Sequence, residues 1–205
     1  LKVMKGCKII FHLAALIGIP YSYLSPQAYL KTNVEGTYNV LESSKHLNTE
    51  QTIITSTSEV YGSAKYVPID EKHPLSAQSP YSASKISADQ LALSYYNSFQ
   101  LPIKIIRPFN IYGPRQSSRA VIPSIIIQAL NAKKEIKLGN VEPSRDFTYV
   151  IDSCNAFIEI LKIKNLFGKV LNVGSNNEYT IKDIAKKILT KLNSKASIKK
   201  EKKRV

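Results

Sequence analysis

The sequence predicts an α/β chain, a doubly wound and mainly parallel sheet followed by a smaller α/β lobe. Three observations predict it. Short apolar runs alternate with longer stretches of helical period, the signature of βαβ units and a parallel sheet. The 205 residues, 43% hydrophobic and 21% charged, suffice for a real core. After residue 113 the alternation changes texture, which marks a second, smaller lobe.

CKIIFHLAA (7–15) reads as a buried strand, and SPQAYLKTNVEGTYNVLESSKHL (25–47) as a helix with Pro26 near its start, where a fixed φ is tolerated. QTIITSTS (51–58) is the next strand. In SPYSASKISADQLALSYY, Ser79 suits a cap and Pro80 a first turn, while Ile86, Leu91, Leu93 and the following tyrosines give an apolar stripe for a helix over 80–98. LPIKIIRPFN (101–110) is a third strand. Right-handed crossovers place the three strands side by side, with functional loops at their carboxyl ends. Ser56 to Glu59 fall at one such end and Arg107 to Tyr112 at another. Beyond 113 come a helix at 121–132, EIKLGN, RDFTYV, an apolar helix from Asp152 to Ile163, the strand KVLNVG and an amphipathic helix from Thr180 to Leu192. The expected division is 1–113 and 114–205, the second part interleaved with the main sheet.

Twenty-nine basic residues against fifteen acidic give a net charge of +14. Much of the excess lies in the final SKASIKKEKKRV, read as a solvated face or truncated segment. The central region mixes signs and has no basic stripe interleaved with aromatics, so nucleic acid is not the expected partner. Neither a run of eighteen apolar residues nor a secretory leader is visible, which points to the cytoplasm and away from a membrane. Cys7 and Cys154 fit neither a metal site nor a disulfide framework, and reduced, partly buried thiols are expected.

Tyr81 and Lys85 lie four residues apart and face the same way on the predicted helix. Spacing alone proves little, because Tyr61 and Lys65 repeat it within VYGSAKYVP, where Gly62 and Pro68 argue for a loop. A tyrosine with its usual pKa of about 10 is a poor base unless a neighbouring cation favours the phenolate, and Lys85 supplies one. Thr57, at the tip of the second strand, is placed to orient a substrate alcohol toward it.

These residues stand within six stretches that together resemble the extended short-chain dehydrogenase/reductases of the nucleotide-sugar epimerase/dehydratase family: FHLAA, TNVEGTYNVLES, STSEVYG, SPYSASK, IIRPFNIYGPRQ and SRDFTYVID. The resemblance covers essentially the whole chain and implies a Rossmann-like sheet, NAD and a nucleotide diphosphate sugar. STSEVYG is similar to the form found in 4,6-dehydratases. It implies that Thr57 binds the sugar 4-hydroxyl and that Tyr81 deprotonates it as hydride leaves C4 for NAD. Lys85 would lower the tyrosine pKa and hold the nicotinamide ribose, and Glu59 would take the C5 proton before water leaves from C6. Ser58 stands where thymidine-diphosphoglucose dehydratases have an aspartate, which is more similar to the GDP-mannose type and to enzymes of N-acetylhexosamine nucleotides.

The same resemblance implies cofactor contacts at Ala14, Ala15, Asn33, Ser56, Tyr81, Lys85 and Pro108, and substrate contacts at Ser58, Asn110, Arg115 and Arg145, with Arg107 a further candidate for the pyrophosphate. His12 reads as a satisfied structural histidine, and Glu59 taken alone would read as a solvated carboxylate. A homodimer through helices 26–46 and 80–98 is implied, with Tyr95, Tyr96, Leu91 and Val40 as its seam or, equally, as core. The family's glycine-rich pyrophosphate turn and its ribose-binding acidic residue do not occur in the chain, so an internal fragment of a longer polypeptide is expected, and NAD is not separated from NADP. Two alternatives stay open: a 4-epimerase or decarboxylase in which Glu59 is idle, and a non-catalytic binding protein on the same fold. Product identity separates the first from a dehydratase; a nicotinamide absorbance unmoved by any sugar nucleotide would mark the second.

Overall fold

Four parallel strands, Ile9–His12, Gln51–Thr55, Ile103–Pro108 and Lys169–Val173 in that spatial order, form the sheet of the first of two compact units, in a computed structural model that describes residues 1–131 and 134–201. This unit comprises 1–109 and 153–173. Its elements in chain order are β1 (Ile9–His12), α1 (Ile19–Leu24), α2 (Pro26–Tyr29), a π-helical segment Leu30–Glu35, α3 (Gly36–His46), β2 (Gln51–Thr55), α4 (Pro80–Phe99) and β3 (Ile103–Pro108). The second unit, 110–152 with 174–201 of the described residues, contributes β4 (Asn110–Tyr112), α5 (Val121–Asn131), β5 (Glu135–Leu138) and β6 (Ser144–Tyr149). The helix α6 (Val150–Lys162) then leads into β7 (Lys169–Val173) of the first unit, and the chain closes with β8 (Glu178–Thr180), α7 (Ile181–Lys191) and β9 (Ser197–Lys200).

The three strands expected side by side pair in parallel, Ile9 to His12 against Gln51 to Ile54 and Thr52 to Thr55 against Ile103 to Ile106. Both faces are covered, which is why Ile103–Pro108 is buried at every position. Ile54, Ile103 and Ile105 pack with Leu41 of α3 and with Ala92 and Tyr95 of α4. The alternate residues Ile53 and Ile106 face Ala156, Phe157, Ile160 and Leu161 of α6. Lys104 lies on that second face, wholly buried, and its ammonium donates to the Ile160 and Leu161 carbonyls near the end of α6 (2.7 and 3.1 Å) and to Gln51 Oε1 (2.8 Å). A cation on the last carbonyls of a helix is both hydrogen-bonded and favoured by the helix dipole.

The division differs from the expected 1–113 and 114–205. The first unit ends at Phe109, and 153–173 returns to it because the apolar face of α6 and strand β7 complete the sheet. In the second unit β4 pairs in parallel with β6, β6 antiparallel with β8, and β5 in parallel with β9. Ile125 and Ala129 of α5, Ile136 and Leu138 of β5, and Ala185 and Leu189 of α7 form its core. Gly113 is required there: a Cβ would stand 2.4 Å from Val150 Cγ1. Residue 132, the expected end of α5, and residues 202–205 of the basic tail lie outside the described residues. Cys7 and Cys154 are free but exposed rather than partly buried. No helix among the described residues is long and apolar enough to cross a membrane.

Candidate active site

α4 carries Tyr81 and Lys85 because its start is fixed by a capping box. Ser79 Oγ accepts from the Ser82 amide (3.1 Å), and Ser82 Oγ accepts from the Ser79 amide (3.0 Å). Pro80 occupies the first turn, and Gln100 ends the helix in the left-handed conformation (φ 55°). On the inward face Tyr81, Lys85, Ala88, Ala92 and Tyr95 are buried at helical spacing. The competing pair separates: Tyr61 ends a one-turn 3-10 helix (Ser58–Tyr61), Gly62 follows at φ 64°, and the Lys65 amide donates to His73 Nε2 (2.8 Å).

Thr57 caps that short turn and accepts from the Glu59 amide (3.2 Å). The turn follows directly on β2, so Ser56, Thr57, Ser58 and Glu59 sit at its carboxyl end, as expected. Both Thr57 and Glu59 bear on Tyr81. Burial pushes the Tyr81 hydroxyl up to about 12; hydrogen bonding by the Thr57 side chain opposes the rise, and the charges of Glu59 and Asp89 add to it. The expectation that Lys85 depresses this tyrosine is not met. The Lys85 ammonium donates to the Thr55 carbonyl (2.6 Å), burial pushes its own pKa down, and burial together with two carboxylates dominates the phenol. Tyr29, itself buried, packs edge-on against the Tyr81 ring with centroids 6.2 Å apart.

Two expected cofactor contacts are committed elsewhere. Asn33, on the π-helical segment, accepts from the Leu16 amide (2.8 Å), and its two amide protons go to the Leu16 carbonyl (3.0 Å) and Ser84 Oγ (2.9 Å). It fastens the loop after β1 to α4. The Ser56 hydroxyl donates to Asp89 Oδ2 (2.9 Å). Ala14 is exposed and Ala15 half-buried in the loop after β1, and Pro108 ends β3. His12 is satisfied, as expected: Thr37 gives its hydroxyl proton to the Asn33 carbonyl (2.7 Å), so its oxygen accepts from His12 Nε2 (3.0 Å). Burial, then the Lys85 charge, pushes His12 down to about 4.

Arg107 is no surface charge and no free anion receptor. It is 3% exposed, with Nε and Nη2 each 3.0 Å from Asp89 Oδ2 and Nη1 donating to the Tyr61 hydroxyl (3.0 Å). Tyr61 in turn donates to Asn172 Oδ1 (2.7 Å). The sequence reading missed Asp89, Tyr61 and Asn172. The available signal for Asp89 was a carboxylate one turn beyond Lys85 on the same buried face of α4. The remaining expected substrate contacts belong to the second unit. Asn110 opens β4, Arg115 is exposed at φ 67°, and Arg145 is exposed on β6 with Nη1 donating to the Ser144 carbonyl (2.8 Å).

This arrangement places a phenol, an ammonium, a hydroxyl and a carboxylate around one strand tip, the set needed to move protons at an alcohol and at an adjacent carbon. A sequence model of the family described as GDP-mannose 4,6 dehydratase matches residues 2–205. The chain is 38% identical over 192 residues to a dTDP-D-glucose 4,6-dehydratase of Dictyostelium discoideum, covering 88% of this chain and 44% of that protein. It is 32% identical over 181 residues to its Homo sapiens counterpart, covering 88% and 51%. Among solved structures, UDP-glucuronic acid 4-epimerase from Bacillus cereus, in complex with UDP-glucuronic acid and NAD, matches with a TM-score of 0.92 at 31% identity, covering 98% of this chain and 64% of its own. A dTDP-glucose 4,6-dehydratase from Streptomyces venezuelae with NAD and TYD bound matches at 0.89 and 27%, covering 98% and 63%. The chain spans about half the length of the curated relatives it matches.

Proposed function

The chain belongs to the GDP-mannose 4,6-dehydratase family, within the NAD-dependent nucleotide-sugar epimerases and dehydratases, and on that premise we propose that it carries the catalytic residues of a nucleotide-sugar 4,6-dehydratase, a hydro-lyase. The observation that supports this most is Thr57, Glu59 and Tyr81 acting on one another at the end of β2, with Lys85 one turn along the same helix face.

The donor set fits a dinucleotide at the carboxyl ends of β1 to β3. Ala14, exposed and bearing only a methyl group, leaves its backbone open to a planar ligand, and Lys85 brings a buried ammonium to the neighbouring strand tip. Ala14, Ala15, Lys85 and Pro108 would hold NAD there, whereas Asn33 and Ser56 act through the loop and helix they fasten. NAD, when bound, would supply an acceptor for the C4 hydride and give that hydride back at C6, so that with a proton returned to C5 the overall change is loss of water alone. Thr57 orients the sugar 4-hydroxyl and Tyr81 removes its proton. Held at about 12, Tyr81 is ionised in roughly one molecule in 10⁵ at pH 7, so the base form depends on cationic support when substrate binds, the task assigned to Lys85. A ketone at C4 acidifies the C5 proton, and Glu59 takes it as water leaves from C6. Ser58, Asn110, Arg115 and Arg145 are the proposed contacts to sugar and pyrophosphate, since guanidinium groups suit an anionic diphosphate.

The test uses the full-length protein with GDP-, dTDP- and UDP-linked hexoses. A 4-keto-6-deoxy product is expected. Glu59→Gln is expected to lower exchange of the C5 proton with deuterated solvent by about 10²-fold or more while cofactor remains bound. Formation of the C4 epimer alone overturns the dehydratase. It supports instead the second reading, a 4-epimerase or decarboxylase with Glu59 idle, the fold being shared by 4-epimerase and dehydratase neighbours alike.

The proposed partner is a nucleotide diphosphate sugar rather than nucleic acid or a membrane. Assembly is proposed as a homodimer through helices 26–46 and 80–98. Of the residues read as seam or, equally, as core, Tyr95 is core, buried against β3 with its hydroxyl on Glu42, Tyr96 packs where a side chain at Gly168 would stand, and Leu91 lines a groove on these helices. The groove on these helices is lined by Leu30, Val34, Tyr38 and Leu91 together with Gln27, Lys31 and Glu35, and Leu30 and Tyr38 are exposed. The unbridged, exposed thiols of Cys7 and Cys154 support a reducing compartment, the cytoplasm.

A further inference from the structure

Asp89 is wholly buried one helical turn beyond Lys85, yet nothing in the proton transfers above uses it. Its Oδ2 accepts from the Ser56 hydroxyl at 2.9 Å and from Arg107 Nε and Nη2 at 3.0 Å. Its Oδ1 is buried without a donor among the described residues. Lys85, meanwhile, donates to the carbonyl of Thr55, the residue before Ser56. Two consecutive residues at the end of β2 are therefore tied to two residues one turn apart on α4, just ahead of Thr57 and Glu59.

We propose that Asp89 is a positioning residue: it holds Ser56, and through it the Thr57–Glu59 turn, in register with α4, and it fixes the charge of Lys85 without itself touching substrate. The proposal rests on the dehydratase/epimerase reading of the same site. A buried lysine is driven toward its neutral form unless an anion stands near. Asp89 is the charge that raises Lys85 against its burial. Arg107 stands against Asp89 in turn, with Nε and Nη2 each 3.0 Å from Oδ2; burial pushes the Asp89 carboxyl up, and the guanidinium, then the Ser56 hydroxyl, act against that rise. The other titratable groups about this pair are Tyr81 on α4, on which the Asp89 charge bears, His12 on β1, on which the Lys85 charge bears, and Tyr61 on the 58–61 turn, which meets Arg107. None replaces Asp89, because His12 is neutral above about 4 and Glu59 bears on Tyr81.

The experiment follows the Lys85 ammonium by NMR in full-length protein labelled at lysine Cε, assigned with Lys85→Arg, alongside the pH dependence of turnover. In Asp89→Asn the Lys85 midpoint is expected about one pH unit or more below wild type, a tenfold loss of protonation at fixed pH. The pH limb of kcat is expected to move the same way with KM changed less than about twofold, and Asp89→Glu to restore both in part. Should Asp89→Asn not fold, Asp89→Asn/Arg107→Gln removes both charges together and leaves no stranded guanidinium; its Lys85 midpoint is expected to fall likewise. An unchanged Lys85 midpoint overturns the proposal whether or not any sugar nucleotide reacts, and so does a loss carried entirely by KM. Failure of the wild-type protein to turn over any sugar nucleotide, with the Lys85 shift intact, counts against the function and supports the charge role of Asp89.

Discussion

His12 illustrates how burial, with a neighbouring ammonium adding to it, sets a charge. Its folded pKa of about 4 lies below the ordinary 6.5, so between those values the unfolded chain takes up a proton that the folded chain refuses. Stability from this group is present in full above about pH 6.5 and is lost as pH falls toward 4, on the order of 1–2 kcal/mol once solvent screening is allowed for. His12→Gln is expected to lose less stability than wild type between pH 7 and pH 5, measured by urea unfolding; equal losses would refute the assignment. Legibility at this scale followed the type of information each residue carries. That Tyr81, Lys85, Thr57 and Glu59 would lie near one another could be expected from the sequence because their spacing and flanking motifs are local; their roles are proposals. Arg107 was misread as an anion receptor because a sequence does not distinguish a guanidinium aimed at solvent from one aimed at a buried carboxylate. Asn33 was near the expected place but for a different reason: its amide clamps the β1 loop rather than offering itself to a ligand.

At the scale of elements, α4 was visible end to end since cap, proline and apolar stripe agreed. Its capping box makes a sharp prediction. Ser79→Ala removes the acceptor of the Ser82 amide and is expected to cost about 1 kcal/mol in urea unfolding. No measurable change would mean that tertiary contacts alone fix the helix start. The preceding helix is less regular than its sequence suggests. Residues 26–46 are helical throughout, but Leu30–Glu35 takes π geometry, and the short α1 over Ile19–Leu24 was not anticipated. Local propensity carries little information about a π turn. Here it coincides with Asn33, whose three side-chain hydrogen bonds to Leu16 and Ser84 are long-range.

For the whole molecule, parallel strands were legible from apolar runs and the second part was expected to interleave with the sheet, as 153–173 does, whereas the bounds of the units were not legible, because they rest on contacts remote in sequence. The exposed side chains on α2 to α4 lead to an oligomer prediction. Full-length protein is expected to sediment as a dimer, and Leu30→Glu with Tyr38→Glu to yield a monomer; a wild-type monomer at micromolar concentration would exclude the interface. The sheet has a further consequence in time. Its members arrive in the order 9–12, 51–55, 103–108 and 169–173, all parallel, so no pair forms as a hairpin and every junction waits for a long crossover. Until the ribosome has delivered residue 173, one margin of the isoleucine-rich third strand has no neighbour to bond, and a nascent chain stalled in that interval presents a ready template for misassociation.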